Sequence, residues 1–414
     1  MQQSVEERDV LILGGGFAGA YVARLLRGRR ATIVSPENFM LYTPLLPEAA
    51  SGTLEPRHTV VPLREMCPDA ELLLGRVVHS LDLEARTATT ERRVLRWRDL
   101  VIALGAVPRT LPVPGLSEHG LAFKSLADAI HLRNHVLQQL EAADGALDDE
   151  ERARRLTFVF VGAGYAGVEA LAELSDLAED ALRYYPRLRS TPRRWVLVDA
   201  APRILPDIPP KLGDYAAAEL RRRGMEIHVG TTLESVSAGE AMLGDGTRIP
   251  TNTLVWTAGV APHPLLREWS LPLDEKGRVE VDELLRVRGH EHVWALGDCA
   301  RVPNTRSERP DPPTCQHALR QARRLAKNLT GPPEPYGYRM LGQVATLGRH
   351  KGIAEVLGLR LHGFVGWWVT RSYHLYQLPL AQRKFRVVVD WTVALFFRRD
   401  IAELGQLGHP EKLS

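Results

Sequence analysis

A chain of 414 residues is long enough for two or three domains at about 150 residues each, which excludes a single small binding module. Charged residues make up 25% and hydrophobic residues 44%, so disorder is not its main state. The 53 basic residues against 50 acidic ones leave a formal charge of +3, too small an excess for a phosphate-wrapping nucleic-acid binder. Three cysteines, Cys67, Cys299 and Cys315, are too few and too scattered for a disulfide scaffold or a zinc site, which implies a reducing compartment and no metal.

The charged N-terminus, MQQSVEERDV, runs straight into an apolar strand and leaves no room for a signal peptide, so the chain is expected to start in the cytoplasm. From Val10 to Leu26, VLILGGGFAGAYVARLL reads as strand, glycine turn and helix, with apolar residues three and four apart at Tyr21, Leu25 and Leu26. Gly14, Gly16 and Gly19 form G-x-G-x-x-G. The first glycine permits the tight turn, the second lets a pyrophosphate approach, and the third permits close helix packing. The next strand, ATIV, ends at Ser35 where an acidic ribose ligand is the usual choice, and Glu37 follows two residues later. LVIALGAVP (Leu100 to Pro108) is a further apolar strand ending in glycine, and the charged run over residues 139–155 reads as a solvated connection.

The pattern then repeats. FVFVGAGYAGVEALAEL (Phe158 to Leu174) carries Gly162, Gly164 and Gly167, and Asp199 closes the strand WVLV after an inserted YYPRLRSTPRR. A carboxylate at Asp199 binds free ribose hydroxyls and repels a 2'-phosphate, which favours NADH over NADPH, with the nearby Arg203 as the counterargument. The alternative is a strand-end residue that caps a turn. LVWTAGVAP (Leu254 to Pro262) echoes the earlier glycine-ended strand.

Two dinucleotide folds in one chain point to one cofactor passing electrons to the other, and flavin with nicotinamide is the natural pair. VWALGDCA (Val293 to Ala300) supports the flavin, because Asp298 stands at a strand's C-terminal edge where it can reach polyol hydroxyls. An ordinary Gly-Asp turn would look the same locally. PNTRSERPDPP is a loop by composition, and GPPEP marks a boundary before a segment rich in tryptophan and arginine.

The order GGGFAG, NFMLYTPLLPEAASG, ALGAVPR, VGAGYAGVE, TAGVAP, ALGDCA, PPTCQHALRQARRLAKNL and GYRMLGQVATLGRHKGIAE resembles the type II NADH dehydrogenases, single-chain NADH:quinone oxidoreductases, over nearly the whole chain. The resemblance implies an α/β fold with two Rossmann-like domains, the NADH domain inserted in the FAD domain, and a C-terminal amphipathic helical module facing a membrane. The expected boundaries are 7–122 and 262–330 for FAD, 123–261 for NADH and 331–414 for the C-terminal module. It further implies that Pro44 and Leu45 lie beside the flavin ring, the backbone near Val78 meets the adenine, and Gly105 closes over the cofactor. Gly297 and Asp298 hold the ribityl chain, and Gly259 belongs to the second glycine-ended strand. Glu169 assists proton delivery, against the alternative of a helix first-turn acid favoured by the dipole. Gln316 lies beside the flavin and quinone pocket, although Cys315 replaces the usual preceding alanine and Arg320 a usual later glutamine.

In the C-terminal segment Phe385, Val388, Val389, Thr392, Leu395 and Phe396 fall on one helical stripe, with Arg383, Lys384, Arg386, Arg398 and Arg399 at its ends. With Trp367, Trp368, Tyr373 and Trp391 this reads as a membrane-surface element, and a packed hairpin or homodimer interface gives a similar pattern. The expected partners are NADH, a membrane quinone and the cytoplasmic face of the cell membrane. Two rivals stay open: a sulfide:quinone oxidoreductase using Cys315, and a nucleotide-sensing protein whose turnover is incidental.

Overall fold

The computed structural model describes residues 5–26 and 29–404. The helices used below are α1 (Phe17–Leu25), α2 (Leu46–Ala50), α3 (Leu126–Asp144), α4 (Tyr165–Ala181), α5 (Cys315–Thr330), α6 (Gly363–Gln377) and α7 (Ala381–Phe396). The chain forms two compact units. One takes the described residues up to Tyr42 with Val60–Val107 and Val260–Met340, and the other takes Thr43–Thr59, Pro108–Gly259 and the described residues from Leu341.

The first unit is built on parallel strands in the order Glu71–Leu74, Ala31–Ser35, Val5–Leu13, Val94–Ile102 and Val293–Ala295. Its central apolar run, Val10 to Leu13, is buried throughout, as a parallel strand covered on both faces must be. Leu13 is in register with both Val34 and Ile102, so neighbouring strands finish at one edge, where α1 begins. α1 packs against α5.

The second unit repeats the design. Its strands run in the order Gly120–Ala122, Thr253–Trp256, Thr157–Val161, Arg194–Asp199 and Glu226–Val229, with Val161 in register with Val198 and Trp256. Thr157–Val161 therefore holds the place of Val5–Leu13, and α4 the place of α1. The run over 139–155 differs from the expected solvated connection, because it contains the end of α3 and a further helix, Asp149–Arg155. The Asp148 side chain caps that helix by accepting from the Glu151 N–H, and acids at its start with arginines at its end suit the helix dipole.

The C-terminal part adds an antiparallel sheet, Gly342–Thr346, Gly352–Val356 and Leu359–His362, followed by α6 and α7. The stripe of α7 is exposed as its spacing requires, with Phe385 at 69% and Phe396 at 79% exposure, while Val387 is buried on the other side. Among the aromatics only some are available to an interface. Trp368 is exposed, Trp367 is buried, and the Trp391 indole donates to Glu48.

Arg399 is the sharper departure from expectation. It is buried, donating to Glu173 at 3.0 Å, Asp180 at 3.1 Å and Thr53 at 3.0 Å, so it neutralises acids of α4 instead of facing solvent. Arg398 beside it is exposed. Arg399→Gln should therefore destabilise the fold by about 3–5 kcal/mol, because a buried carboxylate loses its cation, while Arg398→Gln should change stability by less than about 1 kcal/mol. Urea unfolding of the two variants checks this.

Candidate functional site

The glycine turns show which positions sterics fix and which a ligand can use. Gly14 has φ +109°, and a Cβ there would sit 2.3 Å from the Ala103 carbonyl oxygen; one on Gly19 would sit 2.0 Å from the Gly14 oxygen. The twin turn matches. Gly162 has φ +110°, with a Cβ 2.6 Å from the Ala258 nitrogen, and a Cβ on Gly167 would lie 1.9 Å from the Gly162 oxygen. The middle glycines, Gly16 and Gly164, have extended backbone and nothing within 4 Å of an added Cβ. Each caps a helix whose unpaired N–H groups face that open side, and this is the space a diphosphate needs. The residues present thus fit two dinucleotides, FAD and NADH.

The strand ends differ between the turns. Ser35 is buried with its hydroxyl 2.8 Å from the place of a Gly15 Cβ, so it lies against the first turn. Asp199 accepts from the N–H of Ala163 within the second turn and from the Ala201 N–H at 2.7 Å. Turn capping and ribose binding are compatible, since each carboxylate oxygen has a further lone pair. Arg203 donates one nitrogen to the Pro206 oxygen, while its Nη1 is buried without a partner among the described residues.

Asp298 lies in the short 3-10 turn Gly297–Cys299, directly after the strand Val293–Ala295. A buried network fixes that turn. The Gly297 N–H, at φ +76°, donates to Gln321 Oε1 at 2.8 Å; Gln321 Nε2, Asn304 and the Tyr336 hydroxyl all donate to Asp311, at 2.8, 2.7 and 2.7 Å. Gln321, one residue beyond Arg320, is thus a structural glutamine. Gln316 stands half-buried on the first turn of α5, which Thr314 caps. Burial, reinforced by the Asp298 charge, pushes the Cys315 thiol up to about 12, and burial raises Cys67 and Cys299 to about 11. All three are free thiols, and thiols so hard to ionise make poor sulfur carriers.

In the second unit Glu169 is buried on α4, where Oε1 accepts from the Thr346 N–H at 2.8 Å and from its hydroxyl at 3.2 Å. Burial pushes its pKa up to about 8 against the partial opposition of those hydrogen bonds, with Glu173 and Glu48 adding to the rise. Pro44 and Leu45 lie in the 3-10 turn that leads into α2. α2 carries Glu48, which takes two hydrogen bonds from Arg371, at 3.2 and 3.1 Å, and one from Trp391. The Arg371 guanidinium sits 4.3 Å from the Trp367 ring centre and 4.8 Å from that of Trp391. Glu48, Arg371, Gln321 and Thr346 went unnoticed in the sequence. Val78 is buried, and Gly105 and Gly259 have φ +68° and +91° with open space around an added Cβ, so conformation and not crowding selects glycine at both.

The glycine geometry separates two variants. Gly164→Ala should leave the thermal midpoint near its original value yet weaken NADH binding at least roughly tenfold, by filling the open side of the turn. Gly167→Ala should destabilise the whole fold, because its methyl meets backbone. Calorimetric unfolding and NADH titration of both distinguish the effects.

A sequence model of the family described as pyridine nucleotide-disulphide oxidoreductase matches residues 8–322. The chain is similar to a probable NADH dehydrogenase of Dictyostelium discoideum, with 31% identity across 96% of this chain and 92% of that protein. It is equally similar to the type II NADH:quinone oxidoreductase Ndh of Mycobacterium tuberculosis, 31% identical over 96% of this chain and 90% of the other. Among solved structures, NDH2 of Plasmodium falciparum in complex with NADH superposes with a TM-score of 0.88 at 18% identity, covering 96% of this chain and 99% of that one, a likeness of fold.

Proposed function

The chain belongs to the pyridine nucleotide-disulphide oxidoreductases and, among them, to the type II NADH:quinone oxidoreductases, and from that premise we propose how its residues carry out the reaction. The enzyme oxidises NADH and reduces a quinone without pumping protons. FAD, when bound, accepts two electrons from NADH and passes them to the quinone. The reading rests above all on one observation: the same open-sided glycine turn follows the same strand in two sheets whose four central parallel strands share one order.

The amides after Gly16 would hold the FAD diphosphate, with Ser35 and the backbone near Val78 toward the adenosine, Gly297 and Asp298 toward the ribityl chain, and Gly105 toward the ring. The amides after Gly164 hold the NADH diphosphate, and Asp199 takes the adenosine ribose. Gln316 orients the quinone. Reduction of a quinone to a quinol consumes two electrons and two protons, and we assign Glu169, whose pKa burial pushes up to about 8, to the delivery of one of those protons. Gln316→Ala should slow quinone reduction at least roughly tenfold and leave reduction of bound FAD by NADH intact in single-turnover mixing. Equal loss in both halves would instead make Gln316 a support of the cofactor. Asp298→Ala should lower FAD content itself.

The raised pKa of Glu169 sets a sign. Its folded value, about 8, lies above its ordinary value of 4.5, so its protonated form favours the native state, and stability falls as pH rises through that window. Quinone reduction should decline on the alkaline side of about pH 8. Glu169→Gln should be slower by roughly a hundredfold or more and should flatten that alkaline limb. A variant that kept the same pH profile would remove Glu169 from the proton step.

No helix among the described residues is long and apolar enough to cross a membrane. We infer a peripheral position on the cytoplasmic face of the membrane, with the exposed stripe of α7 and Trp368 in the headgroup layer. Phe385→Asp combined with Phe396→Asp should release the protein from anionic vesicles in a flotation assay and impair reaction with a long-chain quinone, while a short soluble quinone reacts as before. Retained vesicle binding with a loss of dimer in sedimentation would assign the stripe to a homodimer interface.

A further inference from the structure

The second unit encloses a cavity of about 260 Å³ bordered by the turn at Arg349 and His350, by Trp367 of α6 and by the end of α7 up to Arg398. No residue role given above uses this space. His350, whose ring meets the Trp367 ring edge-on at 4.9 Å, holds φ +62°, a strained conformation for a non-glycine residue.

Five arginines line the space against three carboxylates, those of Glu55, Asp390 and Asp400, of which Glu55 is paired with Arg57 and Asp390 with His58. Burial first, and then the charges of Arg349, Arg371 and Arg399, hold the His350 imidazole below its ordinary pKa despite Asp176. Arg371 and Arg399 are neutralised by Glu48 and by Glu173 with Asp180. Arg349 is different, since one guanidinium nitrogen donates to the Ala394 carbonyl and no carboxylate pairs with it among the described residues. Arg398 is exposed and likewise has no carboxylate partner there.

We propose that this cavity binds the phosphate of an anionic phospholipid headgroup, with Arg349 and Arg398 donating to its oxygens. Guanidinium groups suit such an anion because their N–H forks form paired, charge-assisted hydrogen bonds. The lipid source follows from the rim. Leu395 and Phe397, 55% and 68% exposed, border the cavity and continue the apolar face of α7, which gives acyl chains a place that a free anion does not need. The cavity is too small for a dinucleotide. The assignment rests on the membrane reading of α7.

The test uses the full chain in solution with lipid kept monomeric, so that adsorption to a membrane plays no part. Dihexanoyl phosphatidylglycerol, dihexanoyl phosphatidylcholine and inorganic phosphate are titrated calorimetrically. The phosphatidylglycerol should bind saturably, one per chain, at least about tenfold more tightly than either of the others, and Arg398→Gln should weaken it about threefold or more. Arg398 is exposed and its substitution leaves the fold in place, so that variant decides the matter even where Arg349→Gln proves unstable. Equal binding of the two lipids, or unchanged affinity in Arg398→Gln, overturns the proposal. Inorganic phosphate binding as tightly as the lipid overturns the lipid source, and displacement of the lipid by a short-chain quinone reassigns the cavity to the quinone path. Loss of vesicle binding in the Phe385 and Phe396 double variant, with phosphatidylglycerol binding intact, separates this site from the membrane reading.

Discussion

A carboxylate buried in a low-dielectric interior has to be neutralised or matched by a cation, and this requirement organises the second unit. α4 carries Glu169, Glu173, Asp176 and Asp180 along its length. The matching cations come from far away in the chain: Arg399 for Glu173 and Asp180, and Arg223 for Asp176 at 2.6 Å. Glu48 of α2 has Arg371. Glu169 alone of the α4 acids is left with only neutral donors, and its raised pKa is the physical result. The C-terminal segment is therefore bound to this unit by charge as well as by apolar contact, and a truncation that removes α6 and α7 would leave buried acids without their partners.

The same constraint links substrate handling to the segment read as membrane-facing. α4 starts at the open-sided turn proposed to hold NADH, carries the proposed proton donor in its first turns, and is clamped further along by Arg399, three residues beyond α7. One face of the C-terminal segment thus satisfies buried charge, and the opposite face leaves the α7 stripe open. Amphipathic helices in isolation offer no such anchoring, which explains how a strongly apolar stripe can be held outward without collapsing onto the core.

The parts of this account that rest on short-range pattern were legible in the sequence. A buried parallel strand, a glycine turn and a helix follow one another within about 20 residues, so Gly14 to Gly19 and Gly162 to Gly167 announce themselves, and the repeat of whole units follows. The α7 stripe was legible for the same reason. What escaped is non-local. The acids of α4 look like a solvated helix face until Arg399, more than 200 positions later, is seen to cover them, and Arg399 itself looks like a surface cation at a helix end. Gln321 and Asp311 were unreadable because the partner of each is defined by the fold around Gly297 and not by spacing. The segment Thr43–Thr59, adjacent in sequence to the first sheet, belongs to the second unit because Glu48 and Ser51 find their partners there.

The central claim, that bound FAD links NADH oxidation to quinone reduction in this chain, is tested most directly by an anaerobic absorption titration of the purified protein. An equimolar addition of NADH should bleach the flavin band, and subsequent addition of a soluble quinone, with no other acceptor present, should restore it fully. A flavin band that NADH leaves unchanged, or one that bleaches and does not return with quinone, would contradict the account.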